Sequence, residues 1–166
     1  DYIWKTKYFN FKTNRMLYRN INSKISVSTE LIRRQYDYTL AGTDLVLQKR
    51  DMGNIRLGVN YKRNLTGAAI DSTLTWQHFT KVLGGSETPD MRSGDVSSKS
   101  QMMNLNINYV KWLTVLPTTA YYEMNIGAQY SPDNLTLQDQ FTIGGRWSVR
   151  GFENSNGIYG NKGFFI

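Results

Sequence analysis

Few residues in this 166-residue chain have the types and spacing that catalysis requires. His78 is the single histidine, the acidic residues are scattered, and cysteine is absent. A lone histidine near a strand end is more often solvated or interfacial than catalytic, and no Ser-His-acid arrangement can be assembled around it. The lack of cysteine excludes a thiolate zinc site, and no other residues have metal-ligand spacing. The sequence therefore predicts no enzyme, no metal and no cofactor.

The last 28 residues, Asp139–Ile166, have an unusual composition. They read DQFTIGGRWSVRGFENSNGIYGNKGFFI, in which Arg150 stands between Val149 and Gly151. Glycines punctuate the segment, yet large aromatic side chains are spaced between them: Phe141, Trp147, Phe152 and Tyr159. An ordinary surface loop does not need so much aromatic surface around Arg150, so this segment is the best candidate for a functional loop.

The elements that must position this loop have a sequence period of two. In the stretch 121–130, apolar Tyr122, Met124 and Ile126 alternate with Glu123 and Asn125, which predicts a strand with one apolar and one polar face. The same alternation occurs over 25–32, 55–62, 70–77 and from 103 to 109. We also expect a shorter strand over 42–50, extended chain over 1–11 and no helix.

The connections between these strands alternate in length. The stretches 62–67 and 113–119 are short, whereas 81–100 is long and polar and 131–160 is longer still. Asp51–Gly53 is interpreted as a tight turn, which places one short connection among the long ones. In transmembrane barrels short turns face the periplasm and long loops face the exterior, so we expect that sidedness here.

Strand length favours a transmembrane β-barrel over a soluble sandwich. Sandwich strands commonly run about 5–6 residues, and the predicted strands are nearly twice as long. Tyr122 and Tyr130 at the two ends of one apolar face are typical of aromatic girdles. Their separation of eight residues is about 26 Å along the strand, or roughly 20 Å along the membrane normal after tilt. The predicted fold is all-β, an antiparallel transmembrane β-barrel of which this chain is a fragment.

The tail also resembles a known family. Gly144-Gly145, followed by Val149-Arg150-Gly151-Phe152, is similar to the loop motif of the outer-membrane polypeptide-transporting β-barrels. Gly160-Asn161-Lys162-Gly163 is most similar to the two-partner secretion branch, the haemolysin-activator type. Arg15–Arg19 with Ser23-Lys24, and the run from Leu47–Arg50 to Asn60-Tyr61, support this resemblance over most of the chain.

The resemblance implies a place and a role for the loop. It implies one barrel domain over 1–166, part of a larger barrel of about 16 strands, with a long loop at about 132–160 inserted into the lumen. The Arg150 tip would dock on the inner wall. Glycine permits close backbone approach, aromatics give the tip surface to bury, and an arginine out of bulk water pairs bidentately with a carboxylate. The family's carboxylate lies on a strand beyond Ile166. Within this chain Glu123 is the best inward-facing acid, ahead of Glu30 and Asp71.

The resemblance also implies the function. It indicates a monomeric transporter in the Gram-negative outer membrane that contacts lipid, uses no nucleotide and exports one large partner protein of the haemolysin, adhesin or contact-dependent toxin type. Periplasmic partner-capturing (POTRA) domains would precede Asp1. The alternatives are a barrel-assembly factor of the same superfamily and a soluble carbohydrate-binding β-sandwich using Trp76, Trp112 and Trp147.

The basic charge balance needs its own interpretation. The chain has 20 Lys and Arg against 13 Asp and Glu, a formal net charge of +7. Nucleic-acid binding would give such a balance, but no nucleic-acid-binding motif organises the basic pairs Arg33-Arg34 and Lys49-Arg50. We therefore expect no nucleic-acid partner, and assign the excess to strand ends and lumen wall, facing lipid phosphates or a translocating chain.

Overall fold

The fold is known from a computed structural model that describes residues 2–40, 43–44, 50–80, 83, 100–113, 120–135, 139–143 and 158–166. Within these residues the extended regular elements are all β-strands, in agreement with the predicted all-β class. No helix in the described part of the chain is long and apolar enough to cross a membrane.

Six long strands and four short ones follow one another along the described chain. The long strands are β1 (Tyr2–Arg19), β2 (Ser23–Leu40), β4 (Arg50–Leu65), β5 (Ala68–Phe79), β6 (Gln101–Leu113) and β7 (Ala120–Tyr130). The short strands are β3 (Thr43–Asp44), β8 (Phe141–Ile143), β9 (Ile158–Gly160) and β10 (Gly163–Phe165).

The six long strands and the short β10 form one antiparallel sheet in the order β1-β2-β4-β5-β6-β7-β10. Each long strand pairs with the next long strand along the chain, so the sheet is a meander. The short β3 pairs with the end of β2, and β8 pairs with β9 in a separate two-stranded sheet. The turns after β1 and β4 are short, because Ser23 follows Arg19 within a few residues and Ala68 follows Leu65.

The strand register places every predicted apolar face on the same side of the sheet. Directly opposite residues share a face in an antiparallel pair. One such row crosses five strands: Ile25, Tyr61, Ser72, Ile107 and Ile126. We call this side the apolar face. The opposite side, the polar face, carries the alternating residues, including Glu30, Arg56, Gln77, Asn106 and Gly127. The faces predicted from the sequence period are confirmed.

The predicted turn at Asp51–Gly53 is wrong. The strand β4 runs without interruption through these residues, and Asp51, Met52 and Gly53 pair with Gln35, Arg34 and Arg33 of β2. Glycine is needed at position 53 because Leu83 lies close to it, and not because the chain turns there. A Cβ at this position would lie 2.6 Å from the Cβ of Leu83. Asp51 is held in the strand by Arg33, whose guanidinium lies 2.9 Å from the Asp51 carboxylate.

Two strands at the start of the chain also differ from the prediction. The extended stretch expected over 1–11 continues to Arg19 as β1, which makes β1 and β2 18 residues long each. Of the strand expected over 42–50, the structure describes Thr43–Asp44, which form β3, and Arg50, which begins β4. Residues 45–49 lie outside the described part of the chain.

A small apolar cluster closes the polar face at the end with the long connections. Phe79, Met102 and Leu135 are buried there, and Met52 packs against them. Leu135 follows β7, so the chain that leaves β7 crosses the ends of β5 and β6. The apolar face has no such cover in the described residues, where Leu57 and Leu74 remain 41% and 42% exposed.

The two ends of the sheet should lie on opposite sides of the membrane. Ile21, in the turn between β1 and β2, is 93% exposed, and Ser93 belongs to the long connection between β5 and β6. We expect a cysteine at Ser93 to react with a membrane-impermeant maleimide on intact cells, and a cysteine at Ile21 to react only after the outer membrane is permeabilised. Labelling of intact cells at position 21 but not 93 would reverse the topology.

Candidate functional site

The polar face is organised around a buried ion pair. Arg56 Nη1 lies 3.1 Å from Glu30 Oε2, and the Glu30 side chain is 10% exposed. These residues are directly opposite each other on β4 and β2, so the strand ladder itself fixes their separation. Burial penalises an isolated carboxylate, and the guanidinium offsets that penalty.

Neighbouring amides extend this pair across four strands. Asn10 on β1 donates to Glu30 at 2.6 Å. On the other side, Arg56 donates from Nε and Nη2 to the side-chain oxygen of Gln77 on β5, at 3.0 and 2.9 Å. The guanidinium thus satisfies acceptors on both neighbouring strands, and the result is a rigid polar belt across the polar face from β1 to β5.

Two further polar groups lie nearer the short turns. Lys62 Nζ lies 2.9 Å from Asp71 on the adjacent strand, and Asn60 donates to Asp71 at 2.7 Å. Farther along the sheet, Asn108 donates to Glu123 at 2.8 Å and to Asn125 at 2.6 Å. Polar side chains in three places on this face are therefore hydrogen-bonded to one another across strands, which is the chemistry of a wall in contact with water.

A shallow cavity lies on this wall. Its volume is about 340 Å³, and it is lined by Lys12, Asn14, Ser26, Ser28, Gly58, Asn60, Lys62 and Thr73. These residues come from four adjacent strands and share the polar face. A hydrophilic lining of this kind suits water or a polar chain better than an apolar ligand.

The described ends of the long segment after β7 also contact the polar face. Gln129 on β7 donates to the backbone carbonyl of Asp139 at 2.9 Å. The ring of Phe141 stacks on that of Phe165 with centroids 6.1 Å apart. The Phe165 ring covers Gly127 and the Phe141 ring covers Gly163, so closely that a Cβ at either glycine would collide with the ring.

Asn161 fastens the two ends of that segment together. The Ser131 amide donates to the Asn161 carbonyl at 3.1 Å, and the Leu135 amide donates to the Asn161 side chain at 3.0 Å. Asn161 also donates to the Asn134 side chain at 3.0 Å. Residues 131–135 and 161 are therefore held together where the segment leaves and rejoins the sheet.

The candidate loop motif falls outside the residues that the structure describes. This holds for Gly144, Gly145, Val149, Arg150, Gly151 and Phe152. Glu123 is on the polar face, exposed, with amide partners among the described residues. The weaker candidates Glu30 and Asp71 already pair with Arg56 and Lys62.

The cross-strand network of Asn10, Glu30, Arg56 and Gln77 was not predicted from the sequence. Arg56, Gln77 and Asn10 each appear in the sequence as ordinary polar-face residues. Their grouping depends on the pairing of β2 with β4 and of β4 with β5, which the alternation pattern does not specify. The signal that could have revealed the network was Glu30 and Arg56, an acid and a base predicted on the same face of neighbouring strands.

The remaining candidates lie apart from this wall. His78 stacks on Trp76, with ring centroids 5.6 Å apart and planes 4° from parallel, on the apolar face. Trp112 is on the polar face opposite Tyr121, so Trp76 and Trp112 cannot form one carbohydrate platform; Trp147 is outside the described residues. No three His, Asp or Glu side chains in the described part are grouped as metal ligands.

Long antiparallel strands with an uncovered apolar face and a hydrogen-bonded polar face define the wall of a transmembrane β-barrel. The chain matches over residues 2–166 the family described as haemolysin secretion/activation protein ShlB/FhaC/HecB, and it belongs to that family. The predicted two-partner secretion resemblance is thereby confirmed.

Individual relatives agree with this assignment. The chain is similar to outer membrane transporter CdiB-2 of Burkholderia pseudomallei strain 1026b, with 24% identity over 159 residues that cover 96% of this chain and 27% of that protein. It is 28% identical over 152 residues to outer membrane transporter CdiB of Dickeya dadantii strain 3937, covering 92% of this chain and 26% of that protein. The fold is similar to CdiB from Acinetobacter baumannii, with a TM-score of 0.80, 24% identity, and 98% and 28% of the two chains covered.

The chain spans 27% and 26% of the length of the two curated relatives. Both relatives are outer membrane transporters, and the predicted location in the bacterial outer membrane is confirmed. The apolar face is accordingly the lipid-facing side of the wall, and the polar face lines the lumen.

Proposed function

We propose that the full-length protein exports one large partner protein through its barrel by two-partner secretion, as a monomeric transporter and not as an enzyme. The partner would be of the haemolysin, adhesin or contact-dependent toxin type. The observation that carries the proposal is the family match across residues 2–166. This chain supplies adjacent strands of the wall and the loop segment between β7 and β10.

The lumen wall has properties that suit an unfolded polypeptide. Its buried charges are paired, as in Arg56–Glu30, so they do not capture a passing charged residue strongly. Its amides and hydroxyls already bond to one another, as Asn60 does to Asp71 and Thr73. Such a surface offers weak, exchangeable hydrogen bonds, which favours movement over tight binding.

We further propose that the long loop at about 132–160 occupies the lumen. The contacts that support this lie at its two ends. Asp139 is bonded to Gln129 of the wall, and Phe141 packs on Gly163 and Phe165 on the polar face. Because both described ends of the segment lie against the inner wall, they support a middle that is directed toward the lumen or its mouth.

Arg150 is proposed to dock the loop tip on a lumen carboxylate. Glu123 is the candidate within this chain, because it has amide partners Asn108 and Asn125 but no cation within salt-bridge distance in the described part. Glu30 and Asp71 are each neutralised by a neighbouring base. The alternative that the resemblance implies is a partner carboxylate for Arg150 on a strand beyond Ile166.

Arg150→Ala tests the proposed function. We expect the full-length variant to insert normally and to lose most of its export. Removing the guanidinium leaves its carboxylate unpaired, and breaking a buried pair costs about 3–5 kcal/mol, less in a hydrated lumen. Secretion of the partner protein is measured beside heat-modifiable mobility of the transporter. Arg150→Lys should restore export only partly, because it lacks the bidentate fork.

Arg146→Ala is the matched control, since Arg146 lies in the same tail but outside Val149–Phe152. It should export nearly as well as the unmodified protein. Normal secretion by Arg150→Ala would refute the role of the loop. If Glu123→Gln reduces export while Asp71→Asn does not, Glu123 is the partner; an unimpaired Glu123→Gln variant places the carboxylate elsewhere.

A further inference from the structure

The short-turn end of the lipid-facing side carries a repeated pair of residues. On β4, Tyr61 is followed two positions later by Arg63; on β6, Tyr109 is followed two positions later by Lys111. Residues two apart on a strand share a face, so each tyrosine stands on the lipid-facing side with a cation below it, toward the short turns. Both cations are exposed.

These two pairs flank β5 and face the same patch of surface. Arg63 is opposite Ile70, which is in turn opposite Tyr109; Ala68 is opposite Lys111. Two strand spacings and an offset of two residues separate Arg63 from Lys111 by about 12 Å at the backbone. Long side chains reach several ångströms from there, so the two cations can bind one headgroup or two adjacent ones above a floor formed by Ala68 and Ile70.

The charge of this patch is unbalanced. Arg63 and Lys111 form no salt bridge among the described residues, and neither does Arg15, which shares their face on β1. The nearby acids Asp71 and Glu123 point to the lumen. The three short connections, residues 20–22, 66–67 and 114–119, contain no acidic residue in their sequence.

Three other cations of this wall have carboxylate partners. On the lumen side, Arg56 and Lys62 each pair with a carboxylate. At the opposite end of the lipid-facing side, Arg33 pairs with Asp51. The short-turn end of the lipid-facing side thus presents two cations, Arg63 and Lys111, that form no salt bridge among the described residues and lie immediately beyond tyrosines, at the level where aromatic rings meet headgroups.

We propose that Arg63 and Lys111, flanked by Tyr61 and Tyr109, form a docking site for the headgroup of an anionic phospholipid in the membrane leaflet on the short-turn side. The phosphates accept from the guanidinium and the ammonium, the tyrosine rings lie against the glycerol region, and the acyl chains follow Ile70 and the apolar face. The site would fix the depth of this part of the wall.

The test is a lipid affinity measurement on the full-length transporter in neutral detergent. Fluorescent phosphatidylglycerol is the probe, and fluorescent phosphatidylcholine is the neutral comparison. A cation near an anionic lipid surface contributes about 1 kcal/mol, or about fivefold in affinity. The double variant R63Q/K111Q should therefore bind phosphatidylglycerol about 5- to 25-fold more weakly, with phosphatidylcholine binding unchanged.

Two controls separate this site from general charge. The variant K12Q/K24Q removes the same charge from exposed lysines on the lumen side, and it should keep full affinity. The variant R63K/K111R keeps the charge and should bind nearly normally. Heat-modifiable mobility confirms that each barrel is folded. The salt dependence of phosphatidylglycerol binding by the unmodified protein is a further measurement that needs no variant.

Clear results would overturn the proposal. It fails if the unmodified protein does not prefer phosphatidylglycerol, if that preference is insensitive to salt, or if K12Q/K24Q lowers affinity as much as R63Q/K111Q. Full competition by equimolar inorganic phosphate would also reject it, because the site would then recognise a free anion and not a lipid. Export need not change for the site to exist, so its failure would leave the proposed transport function intact.

Discussion

Arg56→Met is expected to lower the free energy of unfolding of the full-length barrel by about 3–5 kcal/mol. The reason is the Glu30 carboxylate, whose side chain is only 10% exposed and would lose the guanidinium that balances its charge. Gln77 would lose two hydrogen bonds at the same time. Partial hydration of Arg56, which is 33% exposed, favours the lower part of this range. Urea-induced unfolding in lipid bilayers measures the change.

Lys62→Met is the control for that variant. Lys62 and Asp71 form a pair of similar geometry on the same face, but their side chains are 56% and 40% exposed. An exposed pair of this kind contributes about 0–1 kcal/mol, so this variant should be nearly as stable as the unmodified protein. Adding Glu30→Gln to Arg56→Met should recover part of the loss, because the buried charge is removed. Equal destabilisation by Arg56→Met and Lys62→Met would contradict the buried-pair account.

Ile126→Arg is expected to destabilise the folded barrel by about 2–4 kcal/mol if position 126 lies near the bilayer midplane. Ile126 is in the middle of β7, opposite Ile107 on the lipid-facing side. A guanidinium there must enter hydrocarbon or bend toward an interface. The measurement is the fraction of protein that keeps heat-modifiable, detergent-resistant mobility, followed by unfolding in urea.

Asn125→Arg, one residue away, provides the comparison. Asn125 faces the lumen, is exposed and accepts a hydrogen bond from Asn108. An arginine at this position meets water, and the lost bond costs about 1 kcal/mol. A barrel that tolerates arginine equally at 125 and 126, or better at 126, would show that the faces of β7 have been assigned the wrong way round.

The faces of the strands were predictable because contact with lipid imposes an alternation of apolar and polar residues within the sequence of each strand. Where one side of a strand meets hydrocarbon, every second residue is predominantly apolar, and Tyr122, Met124 and Ile126 show this without knowledge of any neighbouring strand. The pairing of one strand with another produces no such pattern in the sequence of either strand. That Glu30 stands opposite Arg56 depends on how two strands are aligned, and this alignment is set by the whole sheet.

Gly53 shows why strand boundaries were harder to predict. Glycine after Asp51 is a common turn signal, but here the missing side chain makes room for Leu83. That contact joins residues 30 positions apart in sequence, so no local pattern contains it. The same limitation applies to Gly127 and Gly163, whose empty positions accommodate the rings of Phe165 and Phe141.

The pairing of β10 with β7 has a consequence for how much the loop between them can vary. Phe164 pairs with Ala128, so the chain leaves the sheet after Tyr130 and re-enters it beside the strand it left. Among the described residues, the segment between β7 and β10 adds no strand to the main sheet, because β8 and β9 pair with each other in a separate sheet. The circumference of the barrel therefore does not depend on the length of this segment. Doubling such a loop costs only about 0.6 kcal/mol in closure entropy. The wall can therefore stay constant while the segment between its two adjacent strands is lengthened, shortened or exchanged.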